Sequence, residues 1–171
     1  MATLVEAVNQ IIGQPGDECG FRYAVNHSDG ETAGITAKYA LTFKRKIEAP
    51  PILLMEDPAN NFPGCFFEIE GDFPSVFTRG THGEGLFTVK IYVVGEMANN
   101  TRPKEAGREL AVKVSENINA SDNLNLDWVD HIEWRGLVDD PFTQQLHLVC
   151  RDYYAGGTKF SVFCKGITLN D

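Results

Sequence analysis

The sequence predicts an α+β fold: a mixed, mostly antiparallel β-sheet packed against two α-helices, with an extended β-hairpin. Three observations predict it. Across residues 86–94, Phe87, Val89, Ile91 and Val93 alternate with Thr88, Lys90 and Tyr92, the period-two pattern of a strand with a buried face. Across residues 106–118 the period changes, and Ala106, Leu110, Ala111, Val114 and Ile118 fall at helical spacing. Further alternating runs, separated by turn residues, lie on both sides of this unit.

The strand-to-helix junction bears on function. In an α/β enzyme that turn carries a phosphate loop or a nucleophile elbow. Here it reads GEMANNTRP over residues 95–103 and fits neither pattern. The unit reads as a scaffold, which points away from catalysis and toward assembly.

The other elements follow in chain order. Thr3 and Glu6 are spaced as a capping box, and Leu4, Val8, Ile11 and Ile12 form one apolar stripe behind it. Gly13 and Pro15 end this first helix. Residues 14–34 are rich in Gly, Asp, Asn and Ser and read as a loop with a brief strand at 21–25. Residues 35–47 place Ala37, Tyr39, Leu41, Phe43 and Ile47 on one face and Lys38, Thr42, Lys44 and Lys46 on the other, a long strand or half of a long hairpin. Pro50 and Pro51 break it. A short apolar strand at 52–55 ends in the turn-rich residues 57–64. Cys65, Phe67 and Ile69 then alternate with Phe66, Glu68 and Glu70. Another short strand is expected at 75–78. Residues 79–85, with three glycines, read as a mobile loop or hairpin end.

The second helix has Thr101 as its expected N-cap and Pro103 in its first turn. Glu109 and Lys113 stand at i, i+4 on its wet face. Three strands are expected after it. The first puts Trp128, Ile132 and Trp134 on one side, with Asp130 an odd member among them. Residues 145–154 and 159–167 form a last hairpin, turned at Ala155, Gly156, Gly157 and Thr158, which sets Cys150 opposite Cys164. A shift in turn type would separate that pair by one register step. There is no internal repeat, linker or low-complexity run, so residues 1–171 read as one domain.

Composition sets the outer limits. With 43% hydrophobic and 23% charged residues the chain is globular and not disordered. A formal net charge of −9 makes the whole protein repel nucleic acid and anionic membrane. That charge serves solubility, or an acidic lining past which a polyanion slides. No basic region or long apolar run marks the N-terminus, so neither membrane insertion nor secretion is expected. The cysteines Cys19, Cys65, Cys150 and Cys164 lack CxxC spacing, which disfavours a four-thiolate zinc site and leaves free, mostly buried thiols.

The residues that carry chemistry do not assemble into a known reactive pattern. His27, His82, His131 and His147 show no metal-ligand spacing, and no cofactor is expected. His131-Ile132-Glu133 shares the start of a deaminase signature, but the Pro-Cys-x-x-Cys part is missing. No GxSxG occurs. Glu68 and Glu70 lie about 7 Å apart along a strand face, a separation that suits paired carboxylates but equally a charged solvent face. Asp139 and Asp140 precede Pro141 and signal a turn.

Two features read as binding surfaces. The basic run Lys38, Lys44, Arg45 and Lys46 stands out on an acidic chain. It is either a solvated strand face with edge-protecting lysines or an arm that docks on an acidic patch of an identical neighbour. The loop aromatics Phe62, Phe73 and Phe142, each beside a proline, are either partner anchors or lids over the core. Arg79, at the head of the glycine-rich loop, joins the candidate partner-binding residues.

The order and spacing of four segments resemble bacteriophage tail terminator (tail completion) proteins. They are FPGCFFEI at 62–69, LFTVKIYVV at 86–94, EAGRELAVKV at 105–114 and VCRDYY at 149–154. The long 14–34 loop and the segment through 160–167 depart from that pattern. The resemblance implies a non-enzymatic virion protein of the tail or neck, assembled in the host cytoplasm. It implies a homo-oligomeric, hexameric ring whose partners are the tail tube protein and a neck or connector protein, with DNA passing through the lumen without specific binding. A tube subunit, a neck adaptor, or a small ligand-binding domain or enzyme with a pocket near Asp130, His131 or His147 are the alternatives.

Overall fold

In the computed structural model, residues 4–25, 45–47, 64–69, 75–79, 82–96, 101–139 and 152–168 are described. The fold is α+β. In chain order the elements are α1 (Leu4–Ile12), α2 (Gly20–Ala24), β1 (Arg45–Ile47), β2 (Gly64–Ile69), β3 (Ser75–Arg79), β4 (His82–Glu96), α3 (Pro103–Asn119), β5 (Val129–Val138) and β6 (Tyr153–Thr168). The strands form one sheet in the order β1-β2-β4-β6-β5, with β3 also paired to β4. Only the β1–β2 pair is parallel.

The 15-residue strand β4 organises the sheet. One edge pairs with β2 through residues 89–94 and with β3 through residues 82–86, so β2 and β3 lie end to end. Its other edge pairs with β6 along nearly its full length. The core-side row of the alternation read from the sequence holds, but Tyr92 in the other row is buried too, stacked on Phe66 at 5.4 Å. Phe87, Val89, Ile91 and Val93 are completely buried. They share one face with Cys65 and Phe67 of β2 and Phe160 and Val162 of β6. This face meets Leu110, Ala111, Val114 and Ile118 of α3, Ala7 and Ile11 of α1, and Phe21 and Ala24 of α2 in one core cluster.

Several expectations are corrected. Of the two readings of the glycine-rich stretch 79–85, the hairpin end is the one found: Arg79 of β3 pairs with His82 of β4, and Gly83 and Gly85 lie within β4. The N-cap of α3 is Arg102, one residue later than expected, with Pro103 opening the helix. Thr3, residues 26–44 and residues 48–63 lie outside the described residues. So of the 35–47 strand only Arg45–Ile47 is placed, as β1, and the expected strand at 52–55 is not placed at all.

Residues 21–25 are helical, not a strand. Alternation of Phe21, Tyr23 and Val25 mimics a strand, but Phe21, Ala24 and Val25 also fall at helical spacing, and all three are buried. Gly20, at φ +76°, turns the chain into this helix. A five-residue helix is marginal alone. Here Asn117 of α3 donates through Nδ2 to the carbonyls of Ala24 (2.7 Å) and Val25 (3.3 Å), groups that a helix end leaves unsatisfied.

The expected last hairpin does not exist. β6 runs unbroken from Tyr153 to Thr168, straight through Gly156 and Gly157. These glycines signal close approach and not a turn. A Cβ on Gly107 of α3 would strike the Ala155 carbonyl, and one on Gly156 would strike the backbone of Gly107. The helix therefore rests on the strand backbone to backbone. With the turn gone, Cys164 faces Gly85 and Val129 and not Cys150, which lies outside the described residues. Two described strands, not three, follow α3.

Gly107→Ala tests this contact. Overpacking a tight interface typically costs ~1–3 kcal/mol, and here the obstacle is backbone, so the loss should reach or exceed the upper end. Urea unfolding should show a clearly lowered midpoint for Gly107→Ala and a nearly unchanged one for Val112→Ala on the exposed side of the same helix.

Candidate functional site

The strand β5 ends the strand order among the described residues, and its two faces differ in kind. A bulge at Asp130 separates them. Val129 pairs with Cys164 and Ile132 with Val162, so both point at the core, while Asp130 drops out of register and stays exposed. This accounts for the odd carboxylate between Trp128 and Ile132. Trp128 lies against the core, its Nε1–H donating to Gln10 Oε1 of α1 at 2.8 Å.

The face away from the helices is a closed polar ladder. His131 stacks on Phe163, with ring centroids 4.4 Å apart and planes 9° from parallel. Its Nδ1 is 2.8 Å from Asp130 Oδ2, and its Nε2 is 3.4 Å from Glu133 Oε1. Arg135 closes the row, 2.8 Å from Glu133 and donating through Nε to Ser161 Oγ at 2.9 Å. The hydrogen bond that His131 donates to the Asp130 carboxylate raises its pKa above the ordinary value; desolvation opposes this, and Glu133 adds to the rise. The charges on this face answer one another.

The helix-side face leaves apolar groups open. A second register shift follows Trp134, and Gly136 sits there at φ +99°. The strand then resumes with Leu137 opposite Thr158 and Val138 opposite Gly157. Trp134 is 47% exposed and Leu137 40% exposed, and Val112 on α3 is 36% exposed. These are the exposed large hydrophobics among the described residues, and they share one side of the molecule. Thr158, completely buried, joins Trp134 to α3. Its hydroxyl accepts from Trp134 Nε1–H at 2.8 Å and lies 2.6 Å from Ser115 Oγ. Ser115 in turn donates to the Ala111 carbonyl at 2.7 Å. One direction of donation satisfies every proton: Trp134 to Thr158, Thr158 to Ser115, Ser115 to Ala111. The 3.4 Å contact from Thr158 to the Gly136 carbonyl is the weakest of the set. Val112 lies one turn before Ser115 on the same side of α3.

A cavity of about 190 Å³ continues this strip toward the start of α3. Lys104, Arg108, Val138, Asp139 and the backbone of residues 155–157 line it. Lys104 and Arg108 stand one turn apart, exposed, and form no ion pair among the described residues. A second space of about 400 Å³ lies between α1 and β2, lined chiefly by Val8, Ile12, Phe67 and Ile69. Neither space is lined by Asp130 or His131, which lie on the open face of β5.

Three of the predicted partner residues fall on described strands. Arg45 and Lys46 are on β1, the other end of the strand order, and Arg79 ends β3. Lys38, Lys44, Phe62, Phe73 and Phe142 lie outside the described residues, as do His27, His147, Glu70 and Asp140. Glu68 is exposed and pairs with Lys90 across the β2–β4 ladder. Cys19, Cys65 and Cys164 are not in disulfides, and burial pushes the Cys164 thiol up to about 12. Among the described residues no group of three His, Cys, Asp or Glu is placed to hold a metal ion, and no helix is long and apolar enough to cross a membrane.

No protein-family model matches the chain, and no curated protein matches it.

Sequence reasoning missed the Trp134–Leu137 strip and the Lys104/Arg108 pair. Gly136 between Trp134 and Leu137 was the available signal, since a glycine inside a strand marks a bulge.

Two measurements test the geometry of β5. Thr158→Val keeps the shape but removes the hydroxyl that orders Trp134. It should cost about 1 kcal/mol and make Trp134 fluorescence more accessible to acrylamide, with Trp134→Phe assigning the signal. The second concerns pH. The folded His131 pKa exceeds the unfolded one of about 6.5. Its contribution is therefore whole below about pH 6.5 and is lost as pH rises through the folded value. The stability difference between wild type and His131→Gln should shrink over that window. Its NMR titration should give a midpoint above 6.5 that falls in Asp130→Asn.

Proposed function

We propose that this protein is a structural virion subunit that forms a ring on the end of a bacteriophage tail tube, ends tube growth and gives the head connector a docking surface. It acts by shape and charge, without catalysis and without a cofactor. The observation that carries this reading is where the resembling segments fall. Residues 64–69 are β2, residues 86–94 lie in β4, residues 105–114 lie in α3, and Tyr153 and Tyr154 begin β6. β2 and β6 flank β4 on its two edges, and α3 packs on β6. Segments far apart in sequence thus form one continuous sheet-and-helix unit.

Charge supports the same reading. With a net charge of −9, a ring of such subunits offers DNA a lumen that repels and does not grip it. Arg45 and Lys46, on the end strand β1, belong to subunit or partner contacts on this reading, together with Lys38, Lys44, Phe62, Phe73 and Arg79. The place of action is the virion tail or neck, after assembly in the host cytoplasm.

Light scattering on the purified protein, with negative-stain electron microscopy, tests the proposal. The expected result is a closed ring whose mass is a multiple of 19.0 kDa and which caps tail tubes when tube protein is added. Growth into long tubes by the protein alone would reassign it as a tube subunit. A strict monomer at every concentration, with no affinity for tubes, would overturn the reading.

A further inference from the structure

The strip between α3 and β5 has an electrostatic counterpart on the same molecule. Asp17 and Glu18 lie in the turn before α2, and Asp122 and Asp127 lie in the segment that follows α3. Hydrogen bonds bring the two segments together: Asn125 Nδ2 donates to the Glu18 carbonyl at 3.1 Å, and Gly20 N–H donates to the Leu124 carbonyl at 2.9 Å. All four carboxylates are exposed. Arg22 and Lys165 border this corner and leave it net negative. It sits at the C-terminal end of α3, while Lys104 and Arg108 sit at the N-terminal end, about 24 and about 18 Å away by helix rise. The N-terminal end also carries Glu105, paired with Arg102, and Glu109; the two cations that line the cavity are too far from the carboxylates of the corner to be satisfied by them within a subunit.

We infer that the Trp134–Leu137–Val112 strip with its Lys104/Arg108 rim receives the acidic corner of a second copy of this chain, head to tail. This rests on the ring reading above and names the contact that builds the ring. Three features favour a second copy as the occupant. Lys104 and Arg108 are exposed cations without an ion pair among the described residues, and with Asp139 in the wall the rim is still net positive. The corner that complements them is part of every copy. The rim and the corner are different patches at opposite ends of α3, with the strip between them on β5, where Ile132 N–H donates to the Asp122 carbonyl at 3.2 Å; the contact is therefore heterologous, the class that closes into a ring when the rotation closes. Complementary charge sets the register of such a contact, and a fixed aromatic at its centre supplies the anchor.

Charge exchange tests it. Variant A carries Lys104→Glu and Arg108→Glu; variant B carries Asp122→Lys and Asp127→Lys. Each alone presents like charges at the contact and should sediment as a monomer where the wild type forms rings. Mixed one to one, the acidic rim of A meets the basic corner of B, and the basic rim of B meets the acidic corner of A. Assemblies of even subunit number should return in the mixture, and misfolded subunits would give no such rescue. Wild-type rings should also fall apart more readily as salt rises. If A and B each form rings as the wild type does, this contact is wrong and the ring reading stands. If A and B are monomeric and their mixture stays so, the pairing of rim and corner is wrong. If the wild type itself never assembles, the ring reading fails and takes this contact with it.

Discussion

The fold depends on one close contact: the backbone of α3 resting on the backbone of β6 at Gly107 and Gly156. A side chain on either residue would hold the helix off the sheet. Glycine inside a helix is unfavourable by roughly 1 kcal/mol relative to alanine, so its position here trades local propensity for approach. Everything on this side of the molecule follows from that approach. It brings Ser115 within 2.6 Å of Thr158, and Thr158 then orders Trp134 at 2.8 Å. It also leaves the cavity beside Lys104 and Arg108, where the helix begins to part from the strand. On the far side of α3 the reach of Asn117 to the Ala24 and Val25 carbonyls depends on the same seating.

Where one physical cause determined the structure, the sequence was legible. α3 buries a single face and β4 turns one unbroken apolar row to the helices, so a period near 3.6 and a period of two named them and the core residues on that side, while Tyr92 and Val94 are buried on the strand's other face as well. α1 ended where Gly13, at φ +89°, requires a left-handed conformation. Elsewhere two causes produce the same pattern. A Gly-Gly pair between alternating runs signals a turn when no partner is in view, and close packing when a helix glycine lies opposite. Residues 21–25 satisfy both periods, and a carbonyl-capping amide 92 residues away in sequence decided between them. No local rule contains that information.

The candidate surface was less legible than the fold for a related reason. Bulges reset the alternation of β5 twice, at Asp130 and again near Gly136. A strict alternation therefore cannot tell which face Leu137 occupies or that Trp134 is half open. The carboxylates at Asp130 and Glu133 and the ring of His131 looked like material for chemistry. In the fold they brace one another and Arg135 on an exposed face, with Phe163 as the floor. Residue type alone does not separate a bracing ladder from a reactive cluster.

The charges along α3 are unusual for a helix that has only to be stable. A helix gains from anions near its N-terminus and cations near its C-terminus, at about 0.3–1 kcal/mol each when exposed. Here Lys104 and Arg108 occupy the first two turns, the last turn has no basic residue, and Glu116, Asp122 and Asp127 crowd the far end. Glu105 is the one favourable charge in the first turn, and Arg102 is paired with it at 3.3 Å. Glu109 in the second turn offsets a further cation, so the first two turns carry both signs and the departure from the dipole's preference lies at the far end. Trp134 adds to the pattern, because a tryptophan that stays half exposed gains little from burial yet is held in place by a buried hydrogen-bond chain. A side chain ordered in advance loses less freedom when a partner covers it. Local choices that work against the subunit alone mark places where something beyond the subunit sets the choice, and these lie on the same strip and its complementary corner.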